Sequence, residues 1–403
     1  MSNTADILPD LLDGVQCVDS YEVHRVIRLE CLAAIQESPG EILCGPEKVD
    51  CSDFALRLKF SKDDALTAVE AGPANSPELF DRIRARIREA ILNPGPVAVF
   101  SKVLFAERKL KGIYRYRDLA QILPMPPGSP QPSAATDYPL RLELKLHVSE
   151  DPVISQIRFV RYARRWELLL CGLVSNRIHQ IDTGAHWVMM GSGACVQALA
   201  HYEPMGFPQS AEFTDLAMFP RAQTDDPRIL FGPPTRAHGE PLSIPSNLPD
   251  ILDAFWASAD RQEQFLRACY WLQKADLART NAFSPTFLAL VAAAETLFES
   301  HKGNCDRCGQ ETYKLRSRFE DFLQKHLSPE MLSYASLPGQ KPFLERLKLL
   351  YDHRSQIAHG TVLSGYDGDY QFAPRQNLEV RDVAVLSQVL PAAMGKWMLD
   401  HSC

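Results

Sequence analysis

Apolar residues recur along this chain with two periods, and the balance between them changes near residue 247. Upstream, short segments of period two and period 3.6 take turns. Residues 78–92 place Leu79, Ile83, Ile87 and Ile91 on one helical face and arginines on the other. Residues 96–105, rich in Val and Phe after a Pro-Gly-Pro turn, predict a strand. Residues 140–148 alternate apolar and polar and predict a half-buried strand. Residues 154–174 read as strand-like at first and helical afterwards. Two stretches are dense in breakers. Residues 123–139 predict a proline-rich surface loop, and 231–250 predict an interdomain linker.

Beyond residue 247 the helical period takes over. Phe265, Leu266, Cys269 and Tyr270 share an apolar face, and 287–298 is apolar nearly all round, as a central helix should be. Residues 313–326 are amphipathic through Leu315, Phe319, Phe322 and Leu323, and 380–399 supplies a closing helix. Four or five antiparallel helices in about 150 residues make a bundle. The expected fold class is therefore α+β. A mixed α/β or β-rich domain over residues 1–235 is followed by an all-α bundle over 247–403.

The chemistry of the bundle concentrates in one helix. Phe343, Leu347, Leu350 and Ile357 form an apolar stripe, and at 100° per residue Arg354 falls in its middle. A guanidinium there needs a carboxylate, a phosphate or a partner subunit, because an unpaired buried charge costs several kcal/mol, roughly. His359 and Gly360 follow, the glycine suited to ending the helix. One reading is a core Arg in a salt bridge with a surface His. The other is a fixed cation beside a titratable imidazole.

The run Leu349 to Gly360 resembles the Arg-x4-6-His signature of the HEPN superfamily, most closely its ApeA-like branch. The upstream helix with Glu295 inside it is similar to that family's second helix. The likeness covers roughly residues 247–400. Many HEPN nucleases carry Asn, Asp or His directly after the Arg, where this chain has Ser355.

The resemblance implies a metal-independent endoribonuclease whose site forms at the two-fold interface of a homodimer, each subunit contributing Arg354 and His359. RNA supplies its own nucleophile, the 2′-OH. The enzyme then needs a proton acceptor near neutral pH, which suits imidazole, and a forked cation for charge building on phosphorus. The implied products are a 2′,3′-cyclic phosphate and a 5′-hydroxyl. Glu295 would orient or neutralise Arg354, or serve as a helix-packing ion-pair partner, with Ser355 beside it. Such domains serve as toxic effectors in defence against phage or mobile elements. The N-terminal domain would then sense a phage or host protein or restrain the nuclease. The alternative is a non-catalytic HEPN dimerisation or nucleotide- or RNA-binding module with a ligand-binding N-terminal domain. Thr361 stands where the family's modifiable variant has a Tyr, which argues against control by adenylylation there.

Composition adds limits. The 403 residues carry a net charge of −7, which argues against a general nucleic-acid coat, so any RNA contact would rely on local patches. Two stretches interleave basic and aromatic residues. Arg108, Lys109, Lys111, Arg115 and Arg117 surround Tyr114 and Tyr116; Arg158, Arg161, Arg164 and Arg165 surround Tyr162 and Trp166. Such stretches can hold single-stranded RNA, but more often they are a solvated strand edge. His301, Cys305 and Cys308 have zinc-knuckle spacing, with Cys269, His326 or another subunit's residue as a fourth ligand. A structural zinc and two reduced thiols in a loop both fit; catalysis needs neither. No signal pattern opens the sequence, and no apolar run approaches the ~20 residues that span a bilayer. A cytoplasmic protein without membrane contact is expected.

Overall fold

The computed structural model describes residues 7–12, 20–31, 33–45, 49–50, 52–62, 66–89, 95–125, 138–149, 151–174, 178–179, 186–189, 195–198, 208–231, 240–279, 282–298, 303–304, 311–312, 315–334, 341–358 and 376–401. The chain divides into two compact units. The first comprises Met1–Lys102, Glu143–Tyr162 and Pro204–Phe213, and the second Val103–Leu142, Ala163–Glu203 and Thr214–Cys403. Strands dominate the N-terminal part and helices the C-terminal part, an α+β arrangement as expected. The compact unit that holds the helices is larger than the segment 247–403.

The first unit opens with α1 (Leu8–Leu11) and α2 (Ser20–Glu30). Strands β1 (Ala33–Ser38), β2 (Glu41–Gly45), β3 (Leu56–Phe60) and β4 (Leu66–Ala71) follow, then α3 (Pro77–Ile87). The four strands form an antiparallel meander in sequence order. Its first turn passes through Gly40 at φ +88°, a conformation that glycine adopts without steric cost. Helix α3 starts where Ser76 accepts a hydrogen bond from the Leu79 N–H at 3.2 Å and Pro77 pre-sets the first turn. Leu79, Ile83 and Ile87 are buried as their spacing predicts, in one core with Val23, Val26 and Ile27 of α2 and Leu56, Leu58 and Val69 of the sheet. Ile91 lies outside the described residues.

Next come β5 (Val97–Ala106), β6 (Tyr114–Tyr116), β7 (Ala120–Pro124), β8 (Tyr138–His147), α4 (Pro152–Leu173), β9 (His186–Met189), β10 (Cys195–Ala198) and β11 (Pro208–Ser210). The larger sheet has the order β11-β5-β8-β7-β6, with β6 at an edge. Beside that edge, Ile113 bridges to Arg221 in parallel, donating from its N–H to the Pro220 carbonyl at 2.8 Å and accepting from Ala222 at 2.9 Å. A Cβ on Gly112 would stand 2.6 Å from the Arg221 carbonyl oxygen, so glycine permits this approach. The strand-like beginning expected for 154–174 is corrected: α4 is helical throughout. Phe159, Ala163, Trp166, Leu170 and Leu173 are buried at helical spacing. That packing overrides the strand preference of Ile154 and Ile157.

The remaining elements are β12 (Thr224–Asp225), α5 (Pro227–Leu230), β13 (Ile244–Pro245), α6 (Leu248–Ala257), α7 (Ala259–Arg279), α8 (Phe283–Thr296), β14 (Gly303–Asn304), β15 (Glu311–Thr312), α9 (Leu315–His326), α10 (Pro329–Tyr334), α11 (Phe343–Ala358) and α12 (Gln376–Asp400). The breaker-rich stretch 231–250 does not behave as a tether where it is described. Leu242, Ser243 and Ile244 are buried, and β13 pairs in parallel with β12. Helix α8 is central, touching α7, α9, α11 and α12, with residues buried nearly all round from Phe283 to Ala294. Phe265, Phe287, Leu290 and Met394 are fully enclosed. Each such side chain contributes on the order of 1.5–3 kcal/mol by leaving water.

Two histidines, His24 half-buried and His326 buried, should make stability depend on pH. Burial, with Arg28 adding, holds His24 below its ordinary value of 6.5. Burial holds His326 below 6.5 too, although its hydrogen bond to the Phe322 carbonyl acts the other way. Both therefore stay neutral in the folded chain at pH values where the unfolded chain accepts a proton. Their stability contribution is complete above pH 6.5 and is lost as the pH falls through that value. Urea midpoints should drop between pH about 7.5 and about 5. His326→Gln should flatten part of the slope; an unchanged slope would contradict the assignment.

Candidate functional site

Helix α11 begins just after Pro342, whose carbonyl accepts from the Arg346 N–H at 3.1 Å, and carries Glu345 in its first turn. Phe343, Leu347 and Tyr351 are buried at four-residue spacing, while Leu349 on the other side is 51% exposed. The apolar stripe is thus present over the first half of the helix. The backbone stays helical through positions 354 and 355 to Ala358. The side chains of Leu350, Arg354, Ser355 and Ile357 lie outside what is described, as do His359, Gly360 and Thr361 entirely.

Glu295 does meet this helix. Its carboxylate accepts a hydrogen bond from the Tyr351 hydroxyl, one turn before Arg354. Tyr351 also packs on Phe319 of α9, with ring centroids 5.4 Å apart, so α8, α9 and α11 converge at this point. Tyr351 was not singled out in the sequence. Its place one turn ahead of Arg354 on the stripe was the available signal.

A second unforeseen residue is Arg346. It is 8% exposed, and its guanidinium donates to both carboxylate oxygens of Asp382 at 2.6–3.0 Å and to the Lys341 carbonyl at 2.6 Å. Asp382 is 3% exposed on α12. This forked pair fastens α11 to α12. Asp382 precedes Leu386, Val389 and Leu390 on a buried face, so an acid at a core position was readable in the sequence, though its partner was not.

The two basic-aromatic stretches are engaged within their own units. In the second unit, Arg115 donates to Gln121 at 2.7 Å and to the Thr214 carbonyl at 3.1 Å. Arg117, with φ of 50°, pairs with Asp253 at 2.6 Å, and the Tyr116 hydroxyl donates to the same carboxylate at 2.5 Å. That hydrogen bond and the Arg117 pairing pull Asp253 below its ordinary range. Burial pushes the Tyr114 phenol up. Along α4, Arg158 grips Glu22 at 2.7 and 2.8 Å, and Arg161 lies over Tyr21. Arg164 bonds Glu167 and Gln273, and Arg165 reaches Glu263. The first stretch does lie at a sheet edge, β6, although Tyr116 is buried; the second lies along the helix α4 and is no strand edge.

His301, Cys305 and Cys308 lie outside the described residues. The hairpin β14–β15 pairs Gly303 with Thr312 and Asn304 with Glu311, and both cysteines fall in the sequence between its strands. Cys269 sits in the core, and burial raises its thiol. A Cβ on Gly172 of α4 would come within 2.4 Å of its sulfur. Among the described residues no group of three or more His, Cys, Asp or Glu gathers as a metal site would require. No described helix is long and apolar enough to cross a membrane. A cavity of about 340 Å³ is lined by Leu173, Phe231, Ile251, His326, Met331 and Pro391 among others, with no described side chain of α11 in its lining.

No protein-family model, curated protein or solved structure matches this chain.

Proposed function

We propose that this protein is a metal-independent endoribonuclease of HEPN type that acts as a dimer, with His359 as general base and Arg354 as the cation at the scissile phosphate. The observation that carries the reading is the hydrogen bond from Tyr351 to Glu295. It joins the central apolar helix, through its one carboxylate, to the helix that bears the Arg-x4-His signature, at the turn before Arg354. A carboxylate at that depth can hold a guanidinium in the resting enzyme and yield it to phosphate. Zinc on Cys305 and Cys308, with His301, would be structural, closing the β14–β15 hairpin. The toxic-effector role in phage or mobile-element defence, with an N-terminal sensor, belongs to the same proposal.

Labelled RNA incubated with the purified protein in EDTA should be cut to ends bearing 2′,3′-cyclic phosphate and 5′-hydroxyl, and the His359→Ala protein should be nearly inactive. Intact RNA with the wild-type dimer would sink the reading. A specific observation favours the second reading, a non-catalytic dimerisation or nucleotide-binding module. Arg346, on the same helix, is a buried cation paired with Asp382.

A further inference from the structure

The cavity of about 340 Å³ has no part in the nuclease reading, and all of its lining residues lie in the second unit. It is open because one face of α12 is small. Pro391, Ala392 and Gly395 stand on that face at helical spacing, where Pro391 also interrupts the helix's hydrogen-bond ladder. A Cβ on Gly395 would come 2.8 Å from Cδ1 of Ile251, so α12 lies close against α6 at that point. One turn earlier Ala392 is only half-buried, and its methyl group leaves space beside it. The apolar wall is made by Leu173, Phe231, Ile251 and Met331, which are between 1% and 7% exposed.

Four charged side chains share the lining: Asp226, Arg228, Lys325 and Lys396. The first two satisfy one another, the Arg228 fork donating to the Asp226 carboxylate at 2.7–3.3 Å. Lys396 pairs at 2.5 Å with Asp400, which lies outside the lining. Lys325 is exposed and pairs with no carboxylate among the described residues. His326 adds no second charge near neutral pH, because burial holds it below 6.5. One cation is therefore left without a counter-charge. Concave sites of roughly 300–1,000 Å³, mostly apolar with a few placed polar groups, are where small molecules bind. An apolar cavity of roughly 150 Å³ takes benzene, so about twice that volume takes a body of about ten to a dozen non-hydrogen atoms.

We propose that this cavity binds a small apolar monoanion, a medium-chain or aromatic carboxylate, with its body on the wall of Leu173, Phe231, Ile251 and Met331 and its carboxylate beside Lys325. A neutral molecule leaves Lys325 unmatched. A cation meets like charge from Arg228, Lys325 and Lys396. A dianion carries one negative charge more than the lining balances, and that charge loses water without gaining a partner. The inference stands apart from the nuclease reading.

The test is isothermal titration calorimetry on the full-length protein with three probes that share one eight-carbon tail: octanoate, octanol and octylammonium. Octanoate should bind saturably, at about one per chain, with a Kd below about 1 mM. Octanol should bind about fivefold more weakly, the difference a partly exposed ion pair makes, and octylammonium more weakly still. Lys325→Gln should bring octanoate down to the level of octanol and leave octanol unchanged. Ala392→Leu, which fills the cavity from α12 and keeps a good helix former there, should weaken both by more than about tenfold. Circular dichroism verifies folding; should Ala392→Leu not fold, Lys325→Gln at its exposed position decides alone. The proposal is overturned if octanoate shows no saturable binding, if octylammonium binds as tightly, if folded Ala392→Leu binds like wild type, or if Lys325→Gln keeps the preference for octanoate over octanol.

Discussion

Replacing His359 with alanine should slow RNA cleavage by between about 10² and 10⁴, the range expected when a general base is removed. Replacing Arg354 with alanine should cost about 10² in rate, or on the order of 3 kcal/mol, because the charge that builds on phosphorus loses its fixed counter-charge. Arg354→Lys should not restore activity, since an ammonium cannot present a planar fork to two phosphate oxygens. Both variants should keep the helix content and the oligomeric state of the parent. Single-turnover rates with light scattering and circular dichroism on the same preparations make the comparison. If Arg354→Ala unfolds the bundle or splits the dimer while His359→Ala cleaves normally, the pair is structural and the packing-module reading replaces the nuclease.

Asp382→Ala should destabilise the helical unit by about 3–5 kcal/mol, the loss expected when a buried ion pair keeps one member. Arg346 would lose both carboxylate oxygens that accept its fork, at a position 8% exposed. Asp382→Asn should recover little, because an amide cannot accept the fork through two anionic oxygens. The double replacement Arg346→Met with Asp382→Leu should recover most of the loss, as apolar residues of similar volume often do. Glu345→Ala, exposed on the same helix, should change stability by less than about 0.5 kcal/mol. Urea unfolding followed by circular dichroism reads all four. A loss below about 1 kcal/mol for Asp382→Ala would mean that the pair contributes no more than a surface ion pair.

What could be read from the sequence was whatever repeats locally. The face of α3, the strand β5, the all-round burial of α8 and the first half of the α11 stripe follow from spacing within one element. What could not be read depends on partners far away in the chain. Arg158 finds Glu22, Arg115 finds the Thr214 carbonyl and Tyr116 finds Asp253. No local window contains both ends of such bonds, so the arginines resembled a free basic surface. The beginning of α4 misled for a related reason: β-branched residues near 154–160 suggested a strand until packing fixed the helical phase. For the candidate site, the proximity of Glu295 to the signature helix was legible, but Tyr351 as its hydrogen-bond donor was not.

The close pass of residues 220–222 along Ile113, made possible by Gly112, has a consequence for how this protein meets others. An open sheet edge is a template on which foreign strands add, in aggregation as in peptide capture. Beside β6, the chain's own backbone already fills the hydrogen-bonding groups of Ile113, and charged Arg115 and Arg117 flank it. A foreign strand therefore finds no free backbone groups at Ile113 itself. Any residue larger than glycine at position 112 would unseat that cover and turn a guarded edge into an adhesive one.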